Sequence, residues 1–255
     1  MNISEITDKT GVVILSAGKG TRLNCGDMPK VMLPIGGKPM VSYIVKTLKE
    51  IGFQNNQICL VIGYKKEKVI EYFGSEVIYA TQEEQLGTAH AAYVGMKNLD
   101  DSIKEVLVLN GDDSAFYSVS TVENLITKHL QNDVMASLLS TVIPNSSFAY
   151  GRVVRQENGE IEIVEKEYLT EEHAKINETS TGTFCFNRQW YNGVFPNMPK
   201  LEKLGEYGLP TAFTMAQREG LSVQVINLLN PREWFGVNSK EELQEADDRK
   251  QIGKF

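Results

Sequence analysis

GVVILSAGKGTRLNCGDMPK, residues 11–30, decides the fold. Residues 11–16 form an unbroken apolar run around Val12, Val13 and Ile14. Such a run belongs to a strand covered on both faces, as in a parallel sheet between helical layers. Residues 17–30 carry glycines at 18, 20 and 26, so the chain leaves the strand through a loop. Helical spacing then appears at Met40, Ile44, Val45, Leu48 and Ile51, with Gly52 placed to end it. Strand, glycine-rich loop and helix in that order open a doubly wound α/β sheet.

The same alternation continues. Strands are expected at 57–62, 77–80 and 105–109, and helices at 65–73 and 88–99. Beyond residue 113 the pattern loosens into strands at 134–142, 150–155, 160–164, 181–187 and 222–228. Asn158-Gly159 is a hairpin turn. Helices are expected at 210–218, with Pro210 first and Gly220 beyond its end, and at 239–249. The expected fold is α/β, with a doubly wound, mostly parallel, Rossmann-like central sheet and a small β-rich lobe. It forms a single domain, 1–255, in two halves, 11–113 and 114–255.

Composition narrows the class. Hydrophobic residues at 42% and charged residues at 23% fit a globular chain and exclude a disordered one. No apolar run approaches the roughly 18 residues of a membrane span. Residues 1–10 lack an apolar segment and a cleavage site, which reads as cytoplasmic. Three separated cysteines, Cys25, Cys59 and Cys185, suit neither a disulfide framework nor a zinc site. A net charge of −7 argues against a nucleic-acid partner, whose phosphates need a basic face.

Against that acidic background, Lys19, Arg22 and Lys30 cluster in the glycine-rich loop. Glycines at 18 and 20 let backbone N–H groups approach anionic oxygens without a Cβ in the way. The combination suits a triphosphate at the carboxyl end of a strand. Two common phosphate motifs fail: a dinucleotide fingerprint needs glycine where Leu23 stands, and a Walker loop needs Ser or Thr where Gly20 follows Lys19. Downstream, QEEQLGTA at 82–89 offers glutamine amides, paired donors and acceptors suited to a nucleobase edge. Gly87-Thr88 opens a helix there, where backbone donors are unpaired. Asp112 ends a strongly apolar strand, a position suited to magnesium, which takes one or two carboxylates plus substrate phosphates. Tyr150-Gly151-Arg152, Glu165, Ser180-Thr181-Gly182 and Gly236-Val237-Asn238 each join a strand to glycine or a short polar side chain, suited to a cleft that meets sugar hydroxyls.

In this order the residues resemble the nucleotidyltransferase family of sugar-1-phosphate pyrophosphorylases. They are most similar to the uridylyltransferase domain of bacterial bifunctional N-acetylglucosamine-1-phosphate uridylyltransferases. The likeness runs from about Gly11 to about Leu243. It rests on Leu15-Ser16-Ala17-Gly18-Lys19-Gly20-Thr21-Arg22-Leu23 with Pro29-Lys30, and on the complete segment from Gln82 to Ala91. The resemblance implies that Leu15, Ala17, Gly18, Gly20 and Thr21 hold the nucleotide, with Gln82, Gln85, Gly87 and Thr88 at the base. It implies Arg22 and Lys30 as catalytic residues on the phosphates, and Asp112 and Asn238 as ligands of Mg2+. Gly151, Glu165, Ser180 and Thr181 fall on sugar-binding positions. Residues 11–113 become the nucleotide-binding half and 114–255 the sugar-binding half. The implied reaction is uridylyl transfer from UTP to a sugar 1-phosphate, first among them N-acetylglucosamine 1-phosphate. The implied partners are small-molecule substrates, with no nucleic acid or membrane and the oligomeric state left open, and the family's hexapeptide-repeat acetyltransferase domain has no counterpart in these residues.

Four departures fall on or near the sugar half. Ser180 stands for asparagine. Lys166 lies one residue nearer the sugar glutamate than the family's lysine. Asn110 replaces an aromatic residue, with Asp113 where valine is usual. Thr211 stands for aspartate. Three other readings stay open: a cytidylyl- or thymidylyltransferase, a glycosyltransferase, and a catalytically silent nucleotide-sugar sensor. The glycosyltransferase would need an Asp-x-Asp metal motif where residues 110–114 read NGDDS. His90 and His173 are expected to pack or face solvent rather than transfer protons.

Overall fold

The structure, a computed structural model, describes residues 3–20, 23, 26–144 and 150–253. The strands are β1 (Thr10–Leu15), β2 (Pro34–Ile35), β3 (Lys38–Pro39), β4 (Ile58–Ile62), β5 (Ile78–Thr81), β6 (Glu105–Asn110), β7 (Ala136–Val142), β8 (Arg152–Arg155), β9 (Ile161–Val164), β10 (Glu178–Asn187) and β11 (Val223–Asn227). The helices are α1 (Ile3–Thr7), α2 (Met40–Ile51), α3 (Lys66–Phe73), α4 (Thr88–Met96), α5 (Val119–Gln131), α6 (Glu171–Ala174), α7 (Arg188–Val194), α8 (Leu209–Arg218) and α9 (Lys240–Ile252).

The main sheet runs β11-β7-β10-β6-β1-β4-β5, with the β8–β9 hairpin attached to β10. Four of the pairs in that order are parallel, while β10 runs against β6, β7 and β8, and β8 against β9. The expected mostly parallel α/β sheet is therefore present. Its apolar strands are buried on both faces, which explains their unbroken hydrophobic runs. Val12 and Ile14 of β1 join one core with Leu107 and Leu109 of β6 and the apolar stripes of α2, α3 and α5. Val13 faces the other way, into a core with Val106, Val108, α4 and α8.

Local chemistry sets the ends of these elements. Gly52 closes α2 in the left-handed region at φ 109°, where its N–H reaches the carbonyls of Leu48 and Lys49. Helix α9 starts in a capping box between Ser239 and Glu242. Gly36-Gly37, both with positive φ, turn the short β2–β3 hairpin.

Several features differ from the sequence expectation, among them α1, α6, α7 and the β2–β3 hairpin, for which no element was expected. Helix α5 lies where no element was expected. The strand expected at 181–187 is the second part of the longer β10, whose pairing with β7 shifts register between Ser180 and Thr183. Gly182, at φ 73°, supplies the bulge there. Strands expected from 134 and 150 begin two residues later, at Ala136 and Arg152. Among the described residues, no helix is long and apolar enough to cross a membrane.

Helix α4 lies directly on β1 and β4 because residue 95 is glycine. A Cβ there would meet Val13 Cγ1 at 2.5 Å and Val61 Cγ2 at 2.8 Å, both in rigid strands. Gly95→Ala is expected to lower folding stability by about 1–3 kcal/mol, the usual cost of overpacking, read from the urea unfolding midpoint.

Candidate active site

Strand order reverses at β1: the chain goes from β1 to β4 and β5 on one side, then returns to β6 on the other. Loops leaving the carboxyl ends of β1, β5 and β6 meet at this switch point, where open α/β sheets bind ligands. They frame a cavity of about 260 Å³ lined by Leu15, Ala17, Gly18 and Lys30 from the first loop, and by Gln82, Gln85, Gly87 and Thr88 from the second. A second cavity, about 370 Å³, is lined by Gly151, Glu165, Ser180, Thr181 and Asn238. Thr88, Asn110 and Asp112 line both, so the two form one cleft joined at the end of β6. Each cavity draws on both halves of the chain, since Glu206 lines the first and Asp112 the second. Of the residues expected from sequence, Gly20, whose carbonyl accepts from the Leu23 N–H, lines neither cavity. Thr21, Arg22 and Cys25 lie outside the described residues.

At the junction, the Lys30 ammonium donates to Asp112 Oδ2 and, at 3.1 Å, to Asn238 Oδ1. Lys30 begins the 3₁₀ turn Lys30–Met32, Asp112 follows β6, and Asn238 precedes α9. The Val237 N–H donates to the Asp112 carbonyl at 3.2 Å, so backbone as well as side chains hold the last two together. A carboxylate and an amide oxygen thus converge on one cation. These are hard oxygen donors of the type magnesium takes alongside substrate phosphates and water. Among the described residues no cluster of three or more His, Cys, Asp or Glu is arranged to hold a metal. A cation here would draw its remaining ligands from the substrates.

In the first cavity Gln82 is buried, and its Nε2 lies 3.2 Å from the Gly87 carbonyl and 3.0 Å from His90 Nδ1. Gln85 Nε2 donates to the Ala17 carbonyl at 2.8 Å. Gly87 adopts φ 103° and packs against residue 207, where a Cβ would meet the Tyr207 carbonyl oxygen at 2.5 Å. The Ala89 N–H donates to that same oxygen. His90, expected only to pack or face solvent, is half-buried and partnered with Gln82. The sequence carries no distance between the two, because one follows a strand and the other lies inside α4.

In the second cavity, Asn110 Nδ2 donates to Asp113 Oδ2 at 3.1 Å. These two departures from the family pattern are therefore one unit, and neither position alone signals it. Gly182 makes room for the pair, since a Cβ there would overlap Asn110 Nδ2. Burial, with Asp112 alongside, pushes the Asp113 carboxyl well above the usual carboxylate range. The Thr181 hydroxyl donates to the Leu139 carbonyl at 2.6 Å and secures the β10 bulge. Lys166 lines the second cavity, and Thr211 does not. Burial, reinforced by Glu167, raises Glu165 to about 6.

A family model described as nucleotidyl transferase matches residues 11–243. The chain is 36% identical over 232 residues to the bifunctional protein GlmU of Carboxydothermus hydrogenoformans, covering 91% of this chain and 50% of that one. It is 37% identical over 241 residues to the bifunctional protein GlmU of Clostridium novyi, covering 92% and 51%. It spans about half the length of these curated relatives. A solved structure titled a putative glucose-1-phosphate thymidylyltransferase from Bacillus anthracis, in complex with a sucrose, superposes with a TM-score of 0.77. That structure is 19% identical, covering 96% of this chain and 97% of its own, and the likeness shows the fold.

The Glu165 shift has a signed consequence. A carboxyl raised from 4.5 to about 6 favours the neutral form in the folded state. Its contribution to stability is therefore intact below about 4.5 and is lost as pH rises through about 6. Glu165→Gln removes that loss. Urea unfolding at pH 4 and pH 8 is expected to show the variant gaining roughly 2 kcal/mol on the wild type between the two.

Proposed function

Because the chain belongs to the nucleotidyl transferase family, we propose that it transfers a uridylyl group from UTP to a sugar 1-phosphate. N-acetylglucosamine 1-phosphate is the first candidate acceptor, and the products are a UDP-sugar and pyrophosphate. The observation that carries this reading is the pair of cavities joined at Asp112, with a cation held at the junction. A nucleotide in one and a sugar in the other would bring their phosphates together there.

An oxygen of the sugar phosphate attacks the α-phosphorus of UTP. A new P–O bond forms as the bond to the β-phosphate oxygen breaks, and pyrophosphate leaves with that electron pair. The attacking phosphate is already anionic near neutral pH, so no base need take a proton. Catalysis of such a step is positioning and charge stabilisation. Lys30 would place its ammonium against α-phosphoryl oxygens. Gly18 and Gly20, with Thr21 and Arg22, would hold the β- and γ-phosphates and stabilise the leaving group. Magnesium, when bound by Asp112 and Asn238, supplies charge neutralisation at the α-phosphate. Glu165, Gly151, Ser180 and Thr181 frame the sugar. In this division of labour residues 11–113 serve mainly the nucleotide and 114–255 mainly the sugar.

The thymidylyltransferase title of the solved neighbour makes transfer from dTTP the second reading. Pyrophosphate release with magnesium, measured across four nucleoside triphosphates and a panel of sugar 1-phosphates, separates the two. Release is expected with UTP and one sugar phosphate. Release with dTTP or CTP alone overturns the base assignment, and silence from protein that binds UTP overturns the enzymatic reading.

A further inference from the structure

A side-chain amide reads a base differently according to which of its two ends faces the ligand. The same atom of Gln82 touches both the Gly87 carbonyl, at 3.2 Å, and His90 Nδ1, at 3.0 Å. A carbonyl oxygen only accepts, so the atom facing it must be the amide nitrogen. Its second hydrogen then goes to His90, whose Nδ1 must be the unprotonated nitrogen of the ring. Both hydrogens of Nε2 are thereby used inside the protein. Among the described residues no donor reaches Gln82 Oε1, and that oxygen is not sealed from solvent. It is the only end of the amide left for a ligand in a cavity that Gln82 itself lines.

The supports of this arrangement are rigid. Gly87 is fixed by its packing against Tyr207, as described above. The His90 ring stacks on Phe195 with centroids 6.0 Å apart, and Phe195 stacks in turn on Tyr93 at 4.3 Å. Burial holds the imidazole below its ordinary pKa, which favours the neutral ring that can accept at Nδ1.

We propose that His90 is a positioning residue that locks the Gln82 amide with its oxygen toward the base, so that the cavity selects a pyrimidine carrying N–H between two carbonyls. Uracil and thymine present that donor to Oε1. Cytosine presents a lone pair at the same ring position, so two acceptors then face each other and the hydrogen bond is lost. The inference rests on the nucleotidyl-transfer reading and adds to it the physical origin of base choice.

The test is calorimetric titration of UTP and CTP, with magnesium, into wild type, His90→Asn and His90→Phe, which reads binding without turnover. Asparagine keeps an acceptor oxygen near the place of Nδ1, whereas phenylalanine keeps the stacked ring and loses the acceptor. The UTP-over-CTP affinity ratio is expected to fall about tenfold in His90→Phe, the scale of one lost hydrogen bond, and to stay within about threefold of wild type in His90→Asn. If circular dichroism shows the phenylalanine variant unfolded, His90→Leu replaces it. An unchanged ratio in the variant lacking the acceptor overturns the proposal, as does an equal loss for both nucleotides. Wild type that binds UTP and CTP alike also overturns it while leaving nucleotidyl transfer standing. Wild type that binds neither nucleotide overturns both.

Discussion

The Lys30 ammonium, shared between the Asp112 carboxylate and the Asn238 amide oxygen, is the constraint on which the cleft depends. Its partners lie 82 and 208 positions along the chain. All three side chains sit at the mouth of the sheet, with Lys30 mostly buried, so leaving the charge unpaired would cost about 1–3 kcal/mol or more. Satisfying it brings together the end of the glycine-rich loop, the end of β6 and the start of α9. The rest of α9 then clamps the same region. Asp247 accepts the Gly36 N–H at 2.7 Å, and Lys250 donates to the Ala115 carbonyl at 2.8 Å while lying over the Tyr43 and Phe116 rings. The last helix therefore closes the frame around the cation position.

Much of this was legible in the sequence for a physical reason. A strand buried on both faces has to be apolar throughout, so residues 11–16 announce the sheet without any tertiary information. Glycine in a loop after such a strand leaves backbone donors exposed to a ligand. Lys30, Asp112 and Asn238 could each be named from its motif. What motifs do not carry is the contact between them. The Lys30 bridge, the tie between Gln82 and His90 and the pairing of Asn110 with Asp113 all depend on distances set by packing. Helix α5 was missed for a different reason. Val122, Leu125 and Ile126 have helical spacing, but β-branched Val119, Thr121, Val122, Ile126 and Thr127 depress helix propensity, and burial against the sheet overrides it.

The two ends of the cleft follow different rules. At the first, Gln82 and Gln85 both give amide N–H groups to backbone carbonyls, which fixes the orientation of each side chain. At the second, Asn110 and Asp113 stand where the family pattern has an aromatic residue and a valine; Asn110 donates to Asp113 Oδ2, while Oδ1 is buried without a hydrogen-bond partner among the described residues. A buried carboxyl alone would be costly, and beside Asn110 it is tolerated. The second cavity is thus polar where the family pattern is apolar, with Asp112 kept one residue away. The two cavities share only Thr88, Asn110 and Asp112, so most of the lining of one can vary without touching the other.

Under the proposed reaction, Asp112 and Asn238 would hold a metal cation at the junction of the two cavities. Calorimetric titration of UTP with and without magnesium, into wild type and Asp112→Ala, addresses it without relying on turnover. Magnesium is expected to tighten UTP binding to wild type at least about tenfold, and Asp112→Ala to lose this gain, since the metal then lacks its carboxylate. An equal gain from magnesium in the two proteins would contradict it.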